Sequence, residues 1–111
     1  MSPWPTELGV DEVEELRQSD CPPRLIDCRE LDEWHICKID GAQLIPLSQF
    51  AELAPMKLGD KSQHLIVYCH HGVRSMRVTL WLRQQGYEKA QSMRGGIDLW
   101  SELIDPEVPR Y

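Results

Sequence analysis

His64-Leu65-Ile66-Val67-Tyr68-Cys69-His70-His71-Gly72-Val73-Arg74-Ser75 is the stretch whose reading decides the fold. Leu65 to Tyr68 is continuously apolar, the pattern of a strand covered on both faces, and this places it inside a parallel sheet. From Ser75 to Gln85 the pairs Met76/Leu80 and Val78/Leu82 recur at i,i+4, which predicts a helix of about three turns. Gly86 is placed to supply its left-handed C-terminal cap. A strand, a short polar loop and a helix therefore follow one another, with Cys69 at the strand's end.

The flanking sequence repeats the alternation. Val10, Val13 and Leu16 sit at helical spacing among Asp11, Glu12, Glu14 and Glu15, whose charges suit a first helical turn. Arg24 to Cys28 reads as a strand after Pro22-Pro23, and Glu30 to Cys37 as a short helix. Gln43 to Ile45 reads as a strand ended by Pro46, with Ser48 as N-cap of a helix through Phe50 and Leu53. The stretch Ala54 to Gly59 reads as a loop. Ala90 to Met93 is a last strand, Ile97 to Leu103 a last short helix, and Asp105 to Tyr111 a tail. Alternating strands and helices imply an α/β fold, with a parallel sheet covered on both faces through right-handed crossovers.

Composition sets the class. At 111 residues, 41% apolar and 27% charged, one soluble globular domain spanning 1–111 is expected. Met1 to Gly9 has no apolar run fit for a signal peptide, and Leu65 to Cys69 is too short to cross a bilayer, so a cytoplasmic protein without membrane partners is expected. A net charge of -6 argues against nucleic-acid binding. The charge is uneven, however: residues 1–40 carry eleven acids and four bases, whereas residues 64–94 carry five bases against Glu88 alone. The second half is thus the half suited to a small anion. Cys21, Cys28, Cys37 and Cys69 lack C-x-x-C spacing and read as free thiols. His70 and His71 beside Cys69 invite a metal reading, but adjacent side chains diverge and no second ligand pair is evident, so no metal is expected.

The chemistry concentrates in residues 69–75. A strand-loop-helix junction at the carboxyl edge of a parallel sheet aims backbone N–H groups into one small volume. Gly72 lets the loop curl into a nest of amides around the Cys69 sulfur. With a helix N-terminus, Arg74 and protonated His70 or His71 nearby, the thiolate is expected to be stabilised, which makes Cys69 a nucleophile. The same cradle suits a persulfide anion. Taken alone, a cysteine closing an apolar strand is more often an inert core residue; it is the coincidence of all these features in one seven-residue loop that favours chemistry.

Here the chain resembles the rhodanese family, whose active-site loop runs C-x-x-G-x-[RTS]-S between strand and helix. Leu25 to Trp34 resembles that family's first motif, apolar-Asp-x-Arg followed by an acidic residue and an aromatic. Ile39-Asp40-Gly41-Ala42 with Ile45-Pro46-Leu47 resembles its H-I-x-G-A-x-x-I-P-L segment, and Gly95-Gly96-Ile97-Asp98-Leu99-Trp100 its closing G-G-x-x-x-W. The resemblance implies a five-stranded parallel sheet flanked by helices on both faces, and a sulfurtransferase of the thiosulfate:cyanide type needing no cofactor. Lys38 departs from the family's usual His, and Gly9 from its usual Ser or Thr cap. Glu33 and His71 stand where some two-domain thiosulfate enzymes have arginine and lysine, so two cationic contacts to a dianion are missing or weakened.

The expected mechanism is double displacement. Cys69 takes the sulfane sulfur of thiosulfate or a persulfide donor, and a thiol, cyanide or partner protein then removes it. The amides of His70, His71, Gly72, Val73, Arg74 and Ser75 form the expected cradle, with Arg74 supplying charge to an anionic donor. Asp27 and Arg29 read as a structural pair, Arg29 being also a candidate substrate contact. Trp34 and Trp100 read as packing residues. Cys28 reads as buried rather than resolving, although a disulfide from Cys69 to Cys21, Cys28 or Cys37 is a redox alternative. The rivals are a cysteine phosphatase or arsenate reductase, which resembles C-x-x-x-x-x-R and so has one residue more between cysteine and arginine, and a non-catalytic binding module, against which the presence of Cys69 argues.

Overall fold

A computed structural model describes residues 3–111. The elements are β1 (Glu7–Leu8), α1 (Val10–Arg17), β2 (Arg24–Asp27), α2 (Leu31–Ile36), β3 (Gln43–Leu44), a 3-10 turn (Leu47–Gln49), α3 (Phe50–Leu58), β4 (Leu65–Tyr68), α4 (Val73–Gln84), β5 (Ala90–Met93) and α5 (Gly96–Leu103). The strands form one parallel sheet in the order β1-β5-β4-β2-β3. The apolar run at Leu65–Tyr68 is the central strand, and all four of its residues are buried.

Strand alternation divides the core into two layers. Ile26, Cys28, Leu65, Val67 and Cys69 face Phe50, Ala54 and Leu58 of α3 and Val78 and Leu82 of α4. Leu25, Ile66, Tyr68 and Met93 face Val10 and Val13 of α1 and Ile97 and Trp100 of α5. Trp100 packs as expected, at 2% exposure, while Trp34 is half-buried with the Lys38 ammonium 5.0 Å from its ring centre.

Two expectations are corrected. Residues 54–58 are not a loop but the second half of α3, with Pro55 inside the helix on its exposed side. A mid-helix proline costs about 3 kcal/mol, whereas burying Phe50 and Leu58 on the i,i+8 stripe contributes about 1.5–3 kcal/mol each. The stripe offsets the break. Ser48 does not cap α3 either: it lies in the 3-10 turn, where its N–H and hydroxyl both donate to the Glu30 carboxylate, at 3.0 and 2.7 Å. The fifth strand, β1, has only two residues and hence no pattern to read. Its place is shown by Ser92 and Arg94 donating their N–H groups to Thr6 and Leu8.

β2 and β4 lie side by side, and their connections leave toward opposite edges, β2 to β3 on one side and β4 to β5 on the other. Such a reversal opens a crevice beyond the carboxyl ends of the two strands. Cys28 and Cys69 are the residues that immediately follow those strands. Among the described residues, no helix is long and apolar enough to cross a membrane.

Candidate active site

The loop from Cys69 to Ser75 curls back on its first residue. Cys69 Sγ accepts hydrogen bonds from the amides of Gly72 and Ser75, at 3.1 and 3.3 Å, and lies 3.4 Å from Ser75 Oγ. Gly72 precedes the first turn of α4 with φ at +106°, a left-handed conformation that side chains resist. A Cβ there would also press on the Gly95 amide at 3.2 Å.

The other wall is set by α5. The N–H groups of Ile97 and Asp98, in the first turn of that helix and therefore without helical partners, donate to the carbonyls of Cys69 and His70 at 2.9 and 3.1 Å. A side chain on Gly96, at φ +61°, would collide with those same carbonyls. The Gly95-Gly96 motif thus permits the close approach that holds the loop in shape.

Ser75 Oγ lies 2.7 Å from Ser92 Oγ and 3.2 Å from the Gly72 carbonyl. A hydroxyl has one proton and two lone pairs, so Ser75 serves either protonation state of the sulfur. It accepts from the thiol while donating to Gly72, and it donates to the thiolate while accepting from Ser92. Ser92, a polar residue inside the buried strand β5, is a site residue that sequence reading passes over.

These contacts decide the charge on Cys69. The Cys28 thiol beside it is the largest stabiliser of the thiolate; against burial, and with the Ser75 hydroxyl and the two amides, it lowers the Cys69 thiol to about 5. Cys28 moves the other way, raised far above the ordinary thiol range by its hydrogen bond to Cys69 and by its own burial. Cys69 is only 1% exposed, yet it sits among donors rather than in a purely apolar pocket.

The charged residues are arranged otherwise than expected. Arg74 is not a free cation: its guanidinium forms two bonds to the Glu33 carboxylate, at 2.6 and 2.9 Å. Arg74 first, and Tyr111 among the further donors, hold Glu33 down to about 2. Arg29 is fully buried, and its guanidinium is committed to Asp27 (2.7 to 3.1 Å), the Cys37 carbonyl (2.6 Å) and the Tyr111 hydroxyl (2.8 Å). The expectation of Arg29 as a substrate contact gives way to a structural role, because every bonding direction of the group is occupied inside the protein. It is linked to the Arg74 partner Glu33 in two ways, by donating to the Glu33 carbonyl at 3.3 Å and through Tyr111, which donates to the Glu33 carboxylate at 2.8 Å.

His70 stacks on the Tyr111 ring, with centroids 3.8 Å apart and planes at 6°, and on its other neighbour His71 at 3.8 Å. Burial, then the adjacent His71, lowers its basicity, which works against a protonated His70 beside Cys69. His71 and Val73 are exposed at the rim. A group of metal-ligating types does form, from His70, His71 and Asp98, with ligand atoms within 4.8 Å of one another. The Asp98 carboxylate in it already accepts from Arg110 at 2.9 and 3.2 Å.

Comparison with known proteins bears on the family and the fold. The model of the rhodanese-like domain matches residues 9–103. The chain is 36% identical over 109 residues to the rhodanese-like/PpiC domain-containing protein 12, chloroplastic, of Arabidopsis thaliana, covering 90% of this chain and 36% of that protein. It is 34% identical over 87 residues to the probable adenylyltransferase/sulfurtransferase MoeZ of Mycobacterium tuberculosis, covering 78% of this chain and 22% of that one. The chain thus spans well under half the length of these two relatives. The crystal structure of a rhodanese-like domain protein from Staphylococcus aureus superposes with a TM-score of 0.81 at 23% identity, over 96% of this chain and 99% of that one. A family match over most of the length, on a five-stranded parallel sheet of the same fold, places this chain in the rhodanese-like domain family.

Proposed function

We propose that the protein is a sulfurtransferase that receives a sulfane sulfur on Cys69 as a persulfide and passes it to a thiophilic acceptor. The observation that carries this reading is a sulfur atom at the carboxyl edge of the sheet, ringed by the Gly72 and Ser75 amides and the Ser75 hydroxyl. The Cys69 thiolate attacks the sulfane sulfur of thiosulfate or of a persulfide, and sulfite or a thiol departs. The new outer sulfur carries the negative charge. The amides of Val73 and Arg74, in the first turn of α4 and without helical partners, are the proposed donors to it. In the second half, a thiol, cyanide or a protein thiolate attacks the outer sulfur, and Cys69 leaves readily because its thiolate is already stabilised. The four free thiols suit a reducing compartment such as the cytoplasm.

Intact mass measurement under non-reducing conditions tests this. Incubation with thiosulfate or a small persulfide is expected to add one sulfur to the chain, and cyanide is expected to remove it as thiocyanate. A chain that stays at its original mass with both donors contradicts the reading.

The pairing of Arg74 with Glu33 bears on the donor. With its charge answered by a carboxylate, Arg74 offers little net attraction to a dianion, so a persulfide of low charge is the favoured donor over thiosulfate. Glu33→Gln removes the competing charge while keeping a hydrogen-bond acceptor toward Arg74. It is expected to lower the KM for thiosulfate by about three- to tenfold with a smaller change in kcat. Steady-state kinetics with both donors reads this, and a KM that stays the same or rises would show that Glu33 does not tune the site's charge.

A further inference from the structure

We propose that Cys28 is a resolving cysteine, which converts the Cys69 persulfide into a Cys28–Cys69 disulfide and expels the outer sulfur as hydrosulfide. The inference rests on the persulfide reading and extends it to a second outcome for the same sulfur.

The geometry comes from sheet register. β2 and β4 pair with Asp27 beside Tyr68, and the next rung, made by the Cys28 amide donating to the Tyr68 carbonyl at 3.0 Å, places Cys28 beside Cys69. Both side chains lie on the same face, in the layer that holds Ile26 and Val67. Laterally paired residues of a sheet have Cα atoms about 4.8 Å apart, inside the range of about 4.4–6.8 Å that a disulfide spans. Both thiols are buried, at 0% and 1% exposure, so each is held against the other by the same packing. The other thiols lack this placement: Cys21 is exposed, and Cys37 belongs to the opposite core layer, where it approaches Arg29. Nothing in the fold needs a thiol at position 28, where an aliphatic side chain would fill the same layer.

The step balances within the site. The Cys28 proton passes to the anionic outer sulfur, the Cys28 sulfur bonds to Cys69 Sγ, and the bond between Sγ and the outer sulfur breaks with its electron pair. The two cysteine sulfurs are oxidised to the disulfide and the sulfane sulfur is reduced to hydrosulfide. A reduced dithiol then restores the two thiols by exchange. Cys28 stays protonated while Cys69 is a thiolate, because two adjacent buried sulfur anions repel. Once the charge moves to the outer sulfur, that restraint is relieved and a base stands beside the proton. An acceptor that arrives promptly receives sulfane sulfur; without one, the sulfur leaves as sulfide.

The test starts from chain already loaded with one sulfur by a small persulfide and desalted, so that loading rate does not enter. Native protein held without acceptor is expected to lose that sulfur, release an equal amount of sulfide and show a disulfide linking the Cys28 and Cys69 peptides. Cys28→Ser, which keeps a donor beside Cys69, and Cys28→Val, which keeps the packing, are each expected to retain the persulfide at least about tenfold longer with no such link. Native protein that keeps its persulfide as long as the two variants do, without the linked peptides, overturns the inference alone. A native chain that never takes up the sulfur overturns both this inference and the sulfurtransferase reading.

Discussion

Cys69→Ser is expected to lower sulfur transfer by at least about a thousandfold, to a rate not separable from the uncatalysed exchange between donor and acceptor. Serine keeps the size and the contacts with Gly72 and Ser75, so the loop remains folded and only the nucleophile is lost. An alkoxide is far less accessible than a thiolate at neutral pH, and the bond it would have to make is oxygen to sulfur. Thiocyanate formation and intact mass read the effect. Transfer that survives within tenfold would mean that another of the three thiols carries sulfur. The control is thermal melting, expected to change little, because the substitution leaves the surrounding hydrogen bonds with an acceptor of similar shape.

Asp27→Ala is expected to be the most damaging substitution for stability. Asp27 and Arg29 are both fully buried, joined by contacts of 2.7 to 3.1 Å, and Asp27 also accepts the Arg29 amide at 2.9 Å. Removing the carboxylate strands a guanidinium in the interior, which costs about 3–5 kcal/mol. Against a total of roughly 5–15 kcal/mol for a domain of this size, that is a loss of about a fifth or more, with a fall in Tm of at least about 12 °C. The damage spreads to the site through Tyr111 and Glu33, which position Arg74. Removing both charges together, as Asp27→Leu with Arg29→Met, is expected to recover part of the loss, because the cost lies in the uncompensated charge rather than in the absent pair. A single substitution costing under about 1 kcal/mol would show that water reaches Arg29.

The layout of the fold was legible because its signals were strong and local. Leu65 to Tyr68 has no polar residue, so it had to be a strand covered on both faces, and its loop and helix followed from Gly72 and the i,i+4 pairs. Cys69 could be singled out because a strand's end, a glycine and a helix start coincide there. Misreadings arose where a local rule opposed a tertiary one. Pro55 signals a break, but the buried stripe of Phe50, Ala54 and Leu58 outweighs it. Arg74 reads as a free cation because nothing in its own loop reveals that Glu33, forty-one residues earlier, reaches it. The same holds for Arg29, whose bonds to Cys37 and Tyr111 come from elsewhere in the chain, and for His70, whose basicity is lowered by burial, where Tyr111 stacks on it, and by the adjacent His71. The contact between Cys28 and Cys69 depends on which strands are neighbours, and sequence alternation reveals only that Cys28 faces inward.

Sulfur transfer through Cys69 requires that its sulfur be comfortable as an anion, and site-resolved alkylation against pH measures that directly. Its thiol is lowered to about 5, so the thiolate fraction rises as pH rises through about 5 and is complete well below neutrality. The iodoacetamide rate at the Cys69 peptide, followed by mass spectrometry at a series of pH values, is expected to climb up to about pH 6 and stay level from there to pH 8. A rate that keeps rising through pH 8, with its midpoint near the ordinary thiol value of about 8.5, would show an unstabilised sulfur and contradict the account.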